Sequence, residues 1–394
     1  MIVCVISFSE KGYQLSQRLA EADKVYRERL HQRESVQFRL FSKWNALPKQ
    51  DTIQYVEELA TWTGMQFAGH HALVFIGACG IAVRCIAPFV RDKLADSPVI
   101  VLDENGRFVI PVLSGHVGRA NCLAKEFAEA LGAVAVVTTA TDVNGKFAVD
   151  SFAEEWGFSI QNRHGIEEIS SHILGEERVT FAVEDMDAEQ CREFLQKRIG
   201  AGTKSTGEIK SAGKTESAGK TENAGEIESV CPELMPVSAV DTAGNGIPHI
   251  MISMEPTEAV LWLKPRVYIL GMGCKKGKDF MALRDFVEQE LEKLEIPREE
   301  VWQIVSADRK REEEGLLELA DAWHIPFCTY AEGELAKLEG DFSGSMFVEQ
   351  TVGVDNVCER AAWACCEGKG EYVLRKTAKD GMTLAVVRRD WRAV

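Results

Sequence analysis

The chain opens on an unbroken apolar run, Ile2-Val-Cys-Val-Ile6, and then spaces its apolar positions three and four apart over Lys11–Ala22. A buried strand followed by an amphipathic helix gives that change of period. The alternation continues through the first third of the chain. Strands are expected at Ile2–Ser7, Val36–Phe41, Ala72–Ile76 and Val134–Thr138, and helices at Lys11–Ala22, Asp51–Trp62, Gly80–Phe89 and Asn121–Leu131. Pro98–Asp103 and Arg107–Leu113 flank the turn Glu104-Asn-Gly106 and read as a hairpin. Gly132 stands where a C-capping glycine belongs.

From about Phe147 the pattern turns helical, with helices at Val149–Trp156, Ile166–Leu174 and Ala188–Lys197 around a strand at Arg178–Val183. Residues 205–228 then read STGEIK, SAGKTE, SAGKTE, NAGEIE, a polar near-repeat without an aromatic residue. Such a segment has too little apolar surface to offset its ordering entropy, so a disordered insertion is expected at about 200–230. A strand at His249–Ser253 and a helix at Glu258–Leu263 follow. The last third alternates again: strands at Val267–Leu270, Val301–Val305, Ile325–Cys328, Tyr372–Arg375 and Met382–Val387, and helices at Asp279–Leu294, Glu313–Trp323 and Asn356–Cys366. Strands alternating with helices predict an α/β fold with mostly parallel sheets. The expected division is an N-terminal α/β domain over 1–140, a middle α/β domain over 141–265 and a C-terminal α/β domain over 266–394.

Composition narrows the function classes. A net charge of −16 opposes general nucleic-acid binding, which needs a positive field. No apolar stretch approaches the ~20 residues that span a bilayer, and the first strand has no basic region ahead of it, so the cytoplasm is expected. The 11 cysteines include no Cys-x-x-Cys pair, and they read as small buried hydrophobes rather than as metal ligands.

Three clusters carry the candidate chemistry, each just after an apolar run: Ile76-Gly-Ala-Cys-Gly80 with Arg84, Ser114-Gly-His-Val-Gly-Arg-Ala-Asn121, and Thr138-Thr-Ala-Thr-Asp142. Strand ends in open α/β sheets hold ligands, so a polar, anionic small molecule is expected there. Arg84, inside an apolar segment, calls for an anionic partner because an unpaired buried cation is costly. His116 can move protons near neutral pH. Ser114 lacks the Gly-x-Ser-x-Gly frame of a nucleophile. Thr138–Asp142 reads equally well as a turn with a helix cap. A fourth cluster, Leu270-Gly-Met-Gly-Cys-Lys-Lys-Gly277, reads as a strand, a glycine turn and a helix start, a frame for an anion. It is not a P-loop: that motif places four residues between its glycine and the Gly-Lys pair, whereas Gly273 to Gly277 leaves three. Asp308-Arg-Lys310, Glu313-Glu-Gly315, Ser343-Gly-Ser345 and Thr351-Val-Gly353 read first as solvated loops.

Taken in order, IGACGIAVRCIAP, the DK that follows, SPVIVLDENGRFVIPVLSGHVGRAN, VVTTATD, LGMGCKKG, SADRKREEEGLLELA, the run FSGS, FVEQTVGV and NVCERAA, and RKTAKDGMTLAVV resemble the cobalt-precorrin-5A hydrolase family of anaerobic cobalamin (vitamin B12) biosynthesis. They cover most of 70–155 and 266–388. The resemblance implies opening of the ring A δ-lactone of cobalt-precorrin-5A, with C20 and its methyl leaving as acetaldehyde to give cobalt-precorrin-5B. It implies no cofactor, since cobalt arrives with the tetrapyrrole substrate. The partners it implies are that substrate, neighbouring pathway enzymes in transient contact, and a second copy in a homodimer, with neither nucleic acid nor membrane. Lactone hydrolysis needs an activated water and an oxyanion site. His116 is then the base, oriented by Asp142, with backbone N–H groups at Gly115 and Gly118 as oxyanion donors. Gly77, Gly80, Arg84, Lys93, Ser114, Arg119, Asn121, Thr139, Thr141, Gly271, Gly273, Lys275 and Lys276 are the candidate contacts to the carboxylate-rimmed macrocycle. A non-catalytic tetrapyrrole carrier of the same pathway is the alternative.

Overall fold

The computed structural model describes residues 1–46, 53–202, 234–236, 247–342 and 356–393. The chain divides into two compact units, Met1–Val137 with Arg266–Val394, and Thr138–Pro265.

The N-terminal part of the first unit runs β1 (Ile2–Ser7), α1 (Glu10–Arg29), β2 (Gln37–Ser42), β3 (Ile53–Tyr55), α2 (Leu59–Ala68), β4 (Ala72–Ile76), α3 (Cys79–Ile86), β5 (Val99–Leu102), β6 (Phe108–Leu113), α4 (Ala120–Leu131) and β7 (Val134–Ala135). The sheet order is β3-β2-β1-β4-β5-β6-β7. The first five strands of that order are mutually parallel, and β6 turns back against β5 through the expected hairpin. β1 and β4 are wholly buried. Alternate residues serve opposite faces: Val3 and Val5 pack with Leu19, Leu123 and Phe127, while Ile2, Cys4 and Ile6 pack with Trp62, Phe67 and Phe75. Helices on both faces make the strands continuously apolar.

Two expectations fail here. The helix over Asp51–Trp62 is instead edge strand β3 followed by α2, which begins at Leu59; 51 and 52 lie outside the described residues. Ile53 and Val56 are spaced as on a helix face, yet Ile53 is buried by pairing with Leu40, so tertiary pairing overrides the local period. The strand expected at Val134–Thr138 shrinks to the two residues of β7.

The second unit contains α5 (Ala140–Val143), α6 (Val149–Glu155), β8 (Phe158–Ile160), α7 (His164–Leu174), β9 (Val179–Val183), α8 (Ala188–Gly202), β10 (Leu234–Pro236), β11 (Ile250–Ile252) and β12 (Leu261–Pro265), with sheet order β10-β9-β11-β12-β8. The helix expected at Glu258–Leu263 is overturned: Leu261, Leu263 and Pro265 are buried in alternation with half-buried Trp262 and Lys264, the period of a strand. Apart from α8 at its start and β10 just beyond it, the insertion expected at about 200–230 lies outside the described residues.

The C-terminal part of the first unit supplies β13 (Tyr268–Cys274), α9 (Phe280–Lys293), β14 (Val301–Ala307), α10 (Glu314–Trp323), β15 (Phe327–Tyr330), α11 (Glu332–Ala336), α12 (Val357–Cys365), β16 (Gly370–Lys379) and β17 (Met382–Arg389), ordered β15-β14-β13-β17-β16. Its edge strand β15 is not left open. The segment between α1 and β2 runs antiparallel along it: Ser35 N donates to Phe327 O at 2.7 Å, Thr329 N donates to Arg33 O at 2.9 Å, and Glu34 forms the bridge with Cys328. Covering an edge in this way satisfies its backbone groups. Arg33 forks onto Glu334 at 2.9 and 2.7 Å, Arg39 reaches Glu314 at 2.7 Å, and Ile2 N donates to Asp321 at 2.8 Å. One apolar cluster continues from the N-terminal sheet into the C-terminal one.

Candidate active site at the two ends of the N-terminal sheet

The chain leaves β1 toward β2 and returns through β4 on the other side, so the topological switch point lies between β1 and β4. Gly77 and Gly80 stand at its carboxyl edge. A side chain at Gly77 would press on the Phe8 ring, its Cβ 3.3 Å from Cδ2, whereas Gly80 faces open space at the start of α3. Arg84 is exposed in the last turn of α3. The premise that its apolar segment buries it, and so calls for an anionic partner, fails: Ala82 and Ile86 form the buried face of the helix, and Arg84 stands with Val83 on the exposed one.

The Ser114–Asn121 cluster lies at the opposite end of the same sheet. β6 runs antiparallel to β5, so Leu113 pairs with Val99, at the start of β5, while Val109 pairs with Leu102 at its end. Five strand residues separate the two ends by roughly 16 Å. The strand-end rule therefore places Gly77 and Gly115 apart.

The turn itself is tightly closed. Ser114 and Arg119 bracket it in the left-handed region, with φ of 55° and 64°. Ala120 N donates to Ser114 O at 3.1 Å, Asn121 N to Gly115 O at 2.9 Å and Arg119 N to His116 O at 2.8 Å. Gly118 is required, since a Cβ there would come within 2.9 Å of Ser114 O. Gly115 lies against the buried Asn121 amide, where a Cβ would meet Oδ1 at 2.8 Å. The Ser114 hydroxyl donates to Asp96 O at 2.7 Å, so its proton is committed and it is no nucleophile. That same contact brings the 91–97 turn, which carries exposed Lys93, to this end of the sheet. His116 is half-buried.

Arg119 is the cation the turn holds most firmly. Its Nη1 donates to Glu34 Oε2 at 2.6 Å, with the two side chains 29% and 16% exposed. Burial alone would raise the Glu34 carboxyl; positive neighbours, Arg119 foremost, outweigh it and hold it at about 2. The Glu34 carboxylate in turn, against the cost of burial, holds Arg119 well above its ordinary value. A guanidinium has five N–H donors, of which Nη1 is engaged by Glu34.

The fourth cluster differs from expectation. Gly271 and Gly273 lie within β13, not in a turn. A Cβ at Gly271 would overlap the Cys358 carbonyl oxygen of α12, so this glycine lets helix and strand approach closely. A Cβ at Gly273 would lie 2.7 Å from Thr383 Oγ1. The turn proper is at Gly277, φ 73°, and its N–H donates at 2.6 Å to Glu313, which also pairs with Lys310 at 2.6 Å. The anion in this turn is the chain's own. Glu313 and Lys310, expected to be solvated, are among the less exposed charges of the region; Lys275 and Lys276 are exposed.

Thr139, Thr141 and Asp142 belong to the second unit. Thr139 is the N-cap of α5, Thr141 is buried and Asp142 half-buried in its single turn. Ser343–Ser345 and Thr351–Gly353 lie outside the described residues. Sequence reasoning missed Glu34, Asp96 and Asp321. Glu34 and Asp96 sit in polar stretches without periodicity and Asp321 in the predicted helix α10, so only the tertiary partner marks each. Asp321, for example, is pushed up to about 6 by burial beneath β1. No group of His, Cys, Asp and Glu suited to a metal ion occurs among the described residues, and no helix among them is long and apolar enough to cross a membrane.

Two family models match the chain: Cobalamin synthesis G N-terminal over residues 61–142, and Cobalamin synthesis G C-terminus over 268–387. The cobalt-precorrin-5A hydrolase of Salmonella typhimurium is 32% identical over 81% of this chain and 82% of its own length. That of Priestia megaterium is 30% identical over 68% of this chain and 66% of its own. Among solved structures, a cobalamin biosynthesis protein G homologue from Sulfolobus solfataricus is 20% identical, covering 98% of this chain and 97% of that one at a TM-score of 0.36. The two matched segments contain the clusters described above, and the chain belongs to the cobalamin synthesis G family, that of the cobalt-precorrin-5A hydrolases.

Proposed function

We propose that this chain is a cobalt-precorrin-5A hydrolase of cobalamin biosynthesis, and that the macrocycle is handled at the Ser114–Asn121 end of the N-terminal sheet. The reaction opens the ring A δ-lactone with water and releases C20 with its methyl as acetaldehyde, leaving cobalt-precorrin-5B. The observation that carries the choice of end is the turn itself: a closed frame, bracketed by left-handed Ser114 and Arg119, that presents a half-buried imidazole three positions before a guanidinium engaged by Glu34 through Nη1.

His116 serves as the base that activates water. Backbone N–H groups of Gly115 and Gly118 answer the oxyanion. Arg119 and Lys93 grip peripheral carboxylates, Arg119 most directionally because of its planar fork. Asn121 supplies a neutral hydrogen bond. Cobalt enters and leaves with the substrate. Localisation to the cytoplasm and a homodimer belong to the same proposal.

The test is anaerobic incubation with cobalt-precorrin-5A, following acetaldehyde and the mass of the pigment. Stoichiometric acetaldehyde with the matching mass loss is expected. Tight binding of unchanged pigment with no acetaldehyde would instead mark a tetrapyrrole carrier.

A further inference from the structure

Glu34 lies outside every motif of the chain, in the polar stretch His31–Ser35 that links α1 to β2. Its backbone is fixed by the C-terminal part of the unit. It makes the bridge to Cys328, and the hydrogen bonds of Ser35 to Phe327 and of Thr329 to Arg33 flank it on both sides. Arg33 adds a forked ion pair to Glu334 and lies over the Tyr330 ring at 4.3 Å. From this anchored position the Glu34 side chain reaches the guanidinium of Arg119 at 2.6 Å. Arg119 in turn is locked to the turn by its own N–H on His116 O and by its left-handed backbone at the head of α4. A continuous line of contacts therefore runs from the edge strand of one sheet to the imidazole-bearing turn of another.

We infer that Glu34 is the positioning residue for Arg119: the C-terminal sheet, through the strap 33–35, fixes the direction in which the guanidinium offers its remaining donors to a substrate carboxylate. This rests on the proposed function. Both charges are partly enclosed, so removing the carboxylate frees the guanidinium to seek water or another anion. Losing one charge-assisted contact to substrate costs about tenfold or more in binding.

The experiment compares steady-state kinetics of the parent with Glu34→Gln, Arg119→Gln, the double variant and Glu34→Asp. Glu34→Gln is expected to raise KM by about tenfold or more with kcat within about twofold. Arg119→Gln does the same, the double variant is no worse than Arg119→Gln alone, and Glu34→Asp recovers part of the loss. A parental KM in Glu34→Gln, a double variant whose KM rise is the product of the two singles, or a loss confined to kcat would overturn the inference. Should Glu34→Gln fail to fold, Glu34→Asp and Arg33→Ala carry the test, and unchanged KM in both overturns it. If the parent binds the pigment without turnover, the proposed reaction fails, and the same variants are judged by their Kd for the pigment.

Discussion

The Ser114–Gly118 turn and the Gly271–Gly277 segment share glycines, nearby cations and a helix just beyond, yet the structure uses them differently. In the second, the first two glycines are strand residues that let Cys358 and Thr383 come close, and the N–H of Gly277 is occupied by Glu313. In the first, the glycines close a loop on its own carbonyls, and the carboxylate that meets it comes from the strap and takes hold of a side chain rather than the backbone. A glycine count does not separate packing from binding. The origin of the partnering carboxylate, and the group it engages, does.

The largest expected effect falls on chemistry. His116→Ala should lower kcat by about 100-fold or more, with the pigment still bound, as followed by acetaldehyde release and absorbance titration. Parental turnover would remove the imidazole from the reaction. Next come two stability changes on the other side of the comparison. Gly271→Ala should cost about 3 kcal/mol, because the new methyl meets backbone that cannot yield easily. Glu313→Gln should cost about 3 kcal/mol by leaving Lys310 without its carboxylate. Urea titration measures both. A change in KM without a loss of stability in Glu313→Gln would mean that this turn binds ligand after all.

Glu34 offers a sharper contrast through pH. Its carboxyl is held at about 2, below the ordinary value, so its stabilising contribution is complete above about pH 4.5 and is lost as the pH falls toward 2. The parent should lose about 3 kcal/mol over that interval on this account, and Glu34→Gln should lack that part of the acid limb. Equal acid limbs would contradict the strength assigned to the Arg119 pair. The smallest effect is expected at the far end of the N-terminal sheet. Gly80 faces open space inside α3, so Gly80→Ala should leave KM within about twofold and add up to about 1 kcal/mol of stability.

Much of the fold was legible because burial writes itself into period. β1, β4 and the hairpin β5–β6 stand where the apolar runs predict them. Failures came where length was short and sheet pairing decided, as at Ile53 and at Leu261–Pro265, whose burial alternates although the flanking residues read as helical. The candidate residues could be named from the sequence, but not their arrangement in space. Nothing in the sequence marks that β6 reverses and carries Gly115 away from Gly77, or that Gly271 is glycine for the sake of Cys358. Glu34 left no trace at all, since an isolated acid in a polar turn looks solvated until its guanidinium is known.

The most direct measurement is a single-turnover anaerobic reaction of excess protein with cobalt-precorrin-5A, comparing the parent with His116→Gln. The parent should release one acetaldehyde per pigment while His116→Gln binds the pigment and releases almost none. Equal bursts from both proteins would contradict the assignment of the Ser114–Asn121 turn as the reacting end.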